Sequence, residues 1–158
     1  MSKKYNLYLG KAGQHYIMSE FLARGWNTCT PDVDVGDDVL VLEDKSGQFQ
    51  RVQVKTACAK ERTKGYTVQF NVPMEQLSLP IAPELHYVFM VRYKDKWANT
   101  LIIRRKVLLQ IYESLYSYSE NEGNWVMYIS FQDEKVLFKK VDLSPFIDDF
   151  SAFPNIPH

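Results

Sequence analysis

The sequence predicts a single α/β or α+β domain around a mixed β-sheet, and three observations carry that prediction. The chain has 158 residues, the size of one ordinary domain, and 46% of them are hydrophobic and 14% aromatic, enough to fill one core. Helical and strand-like periodicities follow one another as helix, strands, helix, strands, an order that suits one layered domain. No repeat, low-complexity segment or linker divides the chain, so residues 1–158 read as one unit.

The elements follow in order. Gly10 to Arg24 reads as a helix, with Gly25 placed as the glycine just past its end. At ~100° per residue, Ile17, Met18, Phe21 and Leu22 form one apolar stripe with Gln14 near its centre. Trp26 to Thr30 is a short strand stopped by Pro31, and Asp32 to Asp37 is an acidic, turn-rich loop. Asp38 to Leu42 and Gln48 to Thr56 are strands joined by a turn at Glu43 to Gly47. Residues 57–65 read as a basic loop, and Tyr66 to Val72 as a third strand of this group. Pro73 opens a short helix through Leu79. His86 to Tyr93 and Trp97 to Ile103 are strands around the Lys94-Asp95-Lys96 turn, and Arg104 to Tyr118 is a second amphipathic helix. Val126 to Phe131 and Lys135 to Val141 form a late strand pair. A short helix near 142–146 then precedes a Pro-rich end expected to fray.

Composition excludes several classes. Nineteen Lys+Arg balance nineteen Asp+Glu, so this is no polycation. No apolar run approaches the ~18 residues of a membrane span, and the start lacks a hydrophobic signal core, so a cytoplasmic protein with no membrane partner is expected. Cys29 and Cys58 suggest neither a disulfide framework nor a metal pair. His15, His86 and His158 have no zinc-like spacing. Net neutrality nevertheless conceals segregation. Residues 51–64 carry Arg51, Lys55, Lys60, Arg62 and Lys64 against Glu61, and residues 92–112 carry six basic residues against Asp95. Together they can form one positive face for a polyanion, although each run alone also suits solvated strand ends.

The chemistry concentrates between Asp38 and Lys55. Side chains alternate along a strand, so Gln53 and Lys55 share a face. If the two strands pair as a hairpin, Asp38 at the start of one lies near Lys55 at the end of the other. A carboxylate, an amide oxygen and an ammonium then meet at one sheet edge, with Gln14 on the facing helix able to complete the cluster. Such a set suits Mg²⁺, a hard ion that takes carboxylate, amide and backbone oxygens. Lys55 would orient the attacking water and stabilise charge developing on a phosphodiester.

Asp38 … Gln53-Val54-Lys55 resembles the motif of the PD-(D/E)XK nuclease superfamily, the restriction-endonuclease-like fold, with Gln in place of its second acid. Gly10 and Gly13 before Gln14, the helix ending at Gly25-Trp26, Pro31, Asp34 to Asp38 and Thr56 follow the same order. Over residues 8–105 the chain is similar to the branch of group I intron-associated endonucleases, leaving 106–158 as a helix, strand and tail extension. The resemblance implies a mixed central sheet flanked by helices, with Asp38, Gln53 and the Val54 carbonyl on Mg²⁺ (or Mn²⁺), Lys55 assisting the water and Gln14 supporting the shell. It implies a double-stranded DNA substrate and a homodimer or homotetramer, because cutting a duplex needs at least two sites. Lys60, Arg62 and Lys64 suit phosphate contacts. One departure is plain: relatives often carry Glu where Gln14 stands, so this site has one negative charge fewer.

Other readings stay open on the residues alone. Asp37 can replace Asp38 as ligand, Pro31-Asp32 spells a literal Pro-Asp, and Glu20 can stand in as the helix acid or pair with Arg24 one turn on. Gln53 and Lys55 can be ordinary exposed strand residues. The functional alternative to a nuclease is a catalytically degenerate nuclease fold that binds nucleic acid or protein.

Overall fold

The described residues build two five-stranded sheets. The computed structural model describes residues 3–33, 36–116 and 123–157. Helix α1 (Lys3–Ala23) is followed by β1 (Asn27–Cys29), β2 (Val39–Leu42), β3 (Phe49–Cys58), β4 (Lys60–Arg62) and β5 (Gly65–Pro73). The short α2 (Met74–Ser78), β6 (Leu85–Tyr93), β7 (Lys96–Arg104) and α3 (Arg105–Leu115) come next. The strands β8 (Asn124–Gln132), β9 (Lys135–Phe138) and β10 (Val141–Asp142) precede a 3₁₀ turn at Ser144–Phe146.

The first sheet has the order β1-β2-β3-β6-β7, antiparallel except for the parallel β3–β6 pair, which makes it mixed as expected. The second, β10-β9-β8-β5-β4, is wholly antiparallel. One central sheet was the expectation; the chain builds two because β3 runs on past Thr56 into β4. The stretch 57–65, expected as a basic loop, is therefore strand, single-residue link and hairpin. The hairpin turn requires Gly65, whose φ is +94° and where a Cβ would collide with the Phe131 carbonyl. Pairing of β5 with β8 also ties the C-terminal strands into the middle of the chain, across the boundary at 105/106.

Alternation along β6 decides the layering. Leu85, Tyr87, Phe89 and Val91 face the second sheet, where Val68, Phe70, Val72, Trp125, Met127 and Ile129 meet them. Val88 and Met90 face α1, whose Ile17 and Phe21 are fully buried with Trp26. Sheet one is thus covered on both sides, which is why β6 reads as a near-continuous apolar run. The outer face of sheet two is open.

α1 begins seven residues before the expected Gly10. Gly10 and Gly13 lie within it, and Gly13 is where the helix crosses β3, since a Cβ there would strike Thr56 Oγ1. Its C-terminus closes as expected at Gly25 (φ +89°), with Gly25 N donating to Leu22 O (2.9 Å) and Trp26 N to Phe21 O (3.0 Å). Leu22, counted in the apolar stripe, is exposed. The second helix ends at Leu115, and residues 117–118 of its expected span lie outside those described. The Pro-rich end does not fray: Phe153 is fully buried against Phe21 and Trp26, Trp26 Nε1 donates to Pro154 O (2.8 Å) and Ile156 N to Arg24 O (2.8 Å). Arg24 itself lies over the Phe150 ring at 3.8 Å and reaches Asn155, so the expected Glu20–Arg24 pair gives way to a clamp on the C-terminal segment.

Candidate active site

The ladder between β2 and β3 ends at Asp38, whose N–H donates to Val52 O (2.9 Å). Beyond that rung the chain of β2 leaves β3, and the Asp38 carboxylate takes over the vacated edge. Its Oδ2 accepts the Val54 N–H (2.8 Å) and the Gln53 side-chain amide. In a strand the N–H and C=O of one residue leave on the same edge, so the Val54 carbonyl opens into the same fork. The hairpin expected from the sequence thus does bring Asp38 to Gln53 and Val54.

Gln53 is held in turn. Its Oε1 accepts from Gln76 Nε2 (2.9 Å) on α2, and the same amide group donates to Gly36 O. Tyr87 OH on β6 donates to Gln76 Oε1 (3.0 Å). Burial pushes the Tyr87 phenol far above its ordinary pKa, so it stays a protonated donor at any physiological pH. The donors therefore run in one direction, Tyr87 to Gln76 to Gln53 to Asp38, and each fixes the amide orientation of the next.

Lys55 projects from the face of β3 that carries Gln53. It lines a depression of ≈ 600 Å³ with Gln53, Glu75 and Gln76, and also a groove of ≈ 470 Å³ reaching Lys60, Arg62 and the outer face of sheet two. It stands between the two. Glu75, exposed on α2, is the acidic side chain lining the first depression.

Gln14 reaches Asp38 but by a different atom from the one expected. It is 4% exposed, and its Nε2 donates to the Asp38 backbone carbonyl (2.6 Å) while its Oε1 accepts from Lys11 Nζ (2.7 Å). It anchors the main chain at Asp38 from the α1 side of the sheet, whereas Gln53 and Lys55 lie on the opposite side. The competing ligand Asp37 is committed elsewhere: it is buried, and its Oδ2 receives both Nε and a terminal nitrogen of Arg51 at 2.7 Å. Asp32 is exposed in the loop before residue 34, and Glu20 lies toward Asp148 rather than this corner. Lys60, Arg62 and Lys64 are exposed on β4 and its turn, with Arg62 Nε donating to Thr67 Oγ1 (3.0 Å). The second basic run is partly spent elsewhere: Arg105 is buried, donating to Leu77 O (2.8 Å) and lying 3.5 Å from Glu84, while Lys94 pairs at the surface with Glu61 at 2.8 Å.

Sequence reasoning missed Gln76 and Tyr87. Both lie in segments placed in roughly the right element, but nothing in their spacing from residue 53 signals contact. Among the described residues no three His, Cys, Asp or Glu side chains gather into a metal-binding group. The oxygen set on offer at the fork is one carboxylate, one amide and one backbone carbonyl.

No protein-family model and no curated protein matches the chain. Its fold is similar to the solved structure of a bacterial homing endonuclease, I-Ssp6803I, at a TM-score of 0.58 and 15% identity over 96% of this chain and 90% of the other. The chain has the fold of that endonuclease.

Proposed function

We propose that this protein is a metal-dependent endodeoxyribonuclease of the PD-(D/E)XK type, and that Asp38, Gln53, Val54 and Lys55 form its active site. The observation that carries the reading is the fork at Asp38, where a carboxylate, a carboxamide and a backbone carbonyl converge beside a lysine on a surface that opens into a groove. The fold of a homing endonuclease supports it.

The donor set fits Mg²⁺ in kind: three hard oxygens bearing one negative charge, with the remaining octahedral positions left to water and a phosphate oxygen. Asp38, the Gln53 carboxamide oxygen and the Val54 carbonyl would hold the ion, and Mn²⁺ would be accepted by the same oxygens. For this the Gln53 amide must turn its oxygen toward Asp38, and Gln76 must turn with it, presenting Oε1 to the Gln53 amide protons. The ion would supply charge neutralisation at the scissile phosphate and a more acidic water. Lys55 orients that water and stabilises negative charge on the phosphate oxygens. Gln14 keeps Asp38 in register through its backbone. Lys60, Arg62 and Lys64 contact the phosphates of a DNA duplex. Cutting both strands needs two such centres, so the working particle is a homodimer or homotetramer.

A second reading has its own observation. Lys11 occupies the Gln14 oxygen and the Gln53 amide already satisfies Asp38, an arrangement complete without any cation, as expected of a nuclease fold that has kept binding and lost cutting. Calorimetric titration of Mg²⁺ and Mn²⁺ into wild type and Asp38→Ala, with plasmid nicking on the same samples, separates the two. The nuclease reading predicts metal binding and nicking in the wild type and neither in the variant. No binding and no nicking in the wild type supports the second reading.

A further inference from the structure

The outer face of sheet two carries exposed polar and aromatic side chains that the candidate active site does not use. Along β5 and β8, Val68, Phe70, Val72, Trp125, Met127 and Ile129 point inward, so Gln69 and Asn71 point outward opposite Tyr128 and Val126. Gln69 and Asn71 are exposed, Tyr128 is 62% exposed and Val126 39%. On the neighbouring β4, Lys60 lies opposite Thr67 and Arg62 bonds its hydroxyl, so both cations stand on the same face. No carboxylate projects from this face of β4, β5 or β8 among the described residues.

Resting on the nuclease reading above, we propose that this face enters the major groove of duplex DNA and selects the sequence, with Gln69 and Asn71 as the base-reading side chains. Width is the first argument. Strands lie about 4.8 Å apart, and at the level of Gln69 and Asn71 the described sheet is just β5 and β8, since β4 reaches β5 at 65–67 and β9 reaches β8 at 129–132; a major groove about 12 Å wide admits such a two-stranded ribbon. Chemistry is the second. Gln69 Nε2 donates to Asn71 Oδ1 (3.2 Å), which aligns the two carboxamides along one strand while each keeps a donor and an acceptor. A donor beside an acceptor is what the N7 and N6 of adenine pair with. Tyr128 and Val126 offer apolar surface where thymine methyls project. Lys60 and Arg62 line the edge, placed for flanking phosphates. Continuity is the third: the ≈ 470 Å³ groove runs without a break from Lys55 to Gln69, Asn71 and Tyr128, so a duplex read on this face carries its backbone past the candidate catalytic lysine. A-form RNA closes its major groove to side chains, which favours DNA as the occupant.

The experiment is selection from a randomised duplex DNA pool in Ca²⁺ buffer, using wild type, the double variant Gln69→Ala/Asn71→Ala and the double variant Lys60→Ala/Arg62→Ala. Wild type is expected to enrich a consensus. The Gln69/Asn71 variant should bind that consensus about 10- to 1000-fold more weakly and lose preference at adjoining A·T positions. Its affinity for unselected duplex should stay within about twofold, because phosphate contacts carry no sequence information. The Lys60/Arg62 variant should weaken all sequences alike and flatten the dependence of log K on log salt by about two. An unchanged consensus in the Gln69/Asn71 variant, or duplex binding by wild type without any consensus, overturns the proposal and leaves the nuclease reading standing. Absence of duplex binding by the wild type, or preference for RNA or a protein, overturns both.

Discussion

The two sheets use the same alternation of side chains to opposite ends. In sheet one both faces are covered, by α1 on one side and by sheet two on the other, and seven successive residues of β6, Leu85 to Val91, are buried. In β8 of sheet two burial alternates strictly from Asn124 to Ile129. A strand buried on both faces has no freedom to carry solvent-facing chemistry, so sheet one contributes its reactive groups only where a neighbouring strand departs, at Asp38. A strand open on one face can carry polar side chains along its whole length, and sheet two does. Rigidity and the proposed catalytic fork belong to the first; an open polar surface belongs to the second.

Substitution in one sheet should therefore cost far more than in the other. Phe89 is fully buried between Tyr87 and Phe70, and Phe89→Ala should lower unfolding free energy by about 3–5 kcal/mol in urea titrations. Tyr128→Ala on the open face should stay within about 0.5 kcal/mol. Similar losses at both positions would break the distinction.

The α1 side of sheet one adds a pH dependence. His86 is 3% exposed beside Phe153, with its ring nitrogens near the Glu84 and Arg51 backbones but in no well-formed hydrogen bond. Burial first, and the Arg104 charge second, lower its pKa from 6.5 to about 4. Between those values the unfolded chain binds a proton that the folded chain refuses, so stability falls as pH drops from 6.5 toward 4. The full loss is about 3 kcal/mol, and none of it is felt above pH 7. His86→Phe should flatten that part of a stability profile measured by chemical denaturation from pH 4 to 8.

The smallest effect sits at the seam. Gln76 touches no substrate in this account, but it orients the Gln53 amide. Gln76→Leu should weaken Mg²⁺ binding about 10- to 100-fold by calorimetry. Tyr87→Phe, which removes the donor that holds Gln76 and Gln53 in the orientation turned away from metal, should leave affinity unchanged or raise it. Unchanged affinity in Gln76→Leu would show that Gln53 holds its orientation unaided.

How much of this was legible in the sequence follows from how local each signal is. Strand alternation put Gln53 and Lys55 on one face, the turn at Glu43 to Gly47 gave the hairpin, and the mid-stripe position of Gln14 turned it toward the sheet; all of these are short-range. The second sheet was not legible, because β4 is three residues long and its pairing with β5 turns on Gly65 fitting against Phe131, far along the chain. The N-terminal turns of α1 were hidden by Gly10 and Gly13, which lower helix propensity although Gly13 serves a close crossing. Gln76 and Tyr87 reach Gln53 only through tertiary packing, which no spacing encodes. Arg105, counted as surface charge, proved internal because α3 lies against the end of α2.

The central claim is that the fork at Asp38 cuts DNA and that Lys55 acts in the cut rather than in binding. The most direct measurement compares wild type and Lys55→Ala for plasmid nicking in Mg²⁺ and for duplex affinity in Ca²⁺, with both proteins shown to be folded. The account predicts nicking by wild type, a loss of at least about 100-fold in the variant and duplex affinity within about threefold of wild type. Equal nicking by the two, or a variant that loses binding and cutting together, would contradict it.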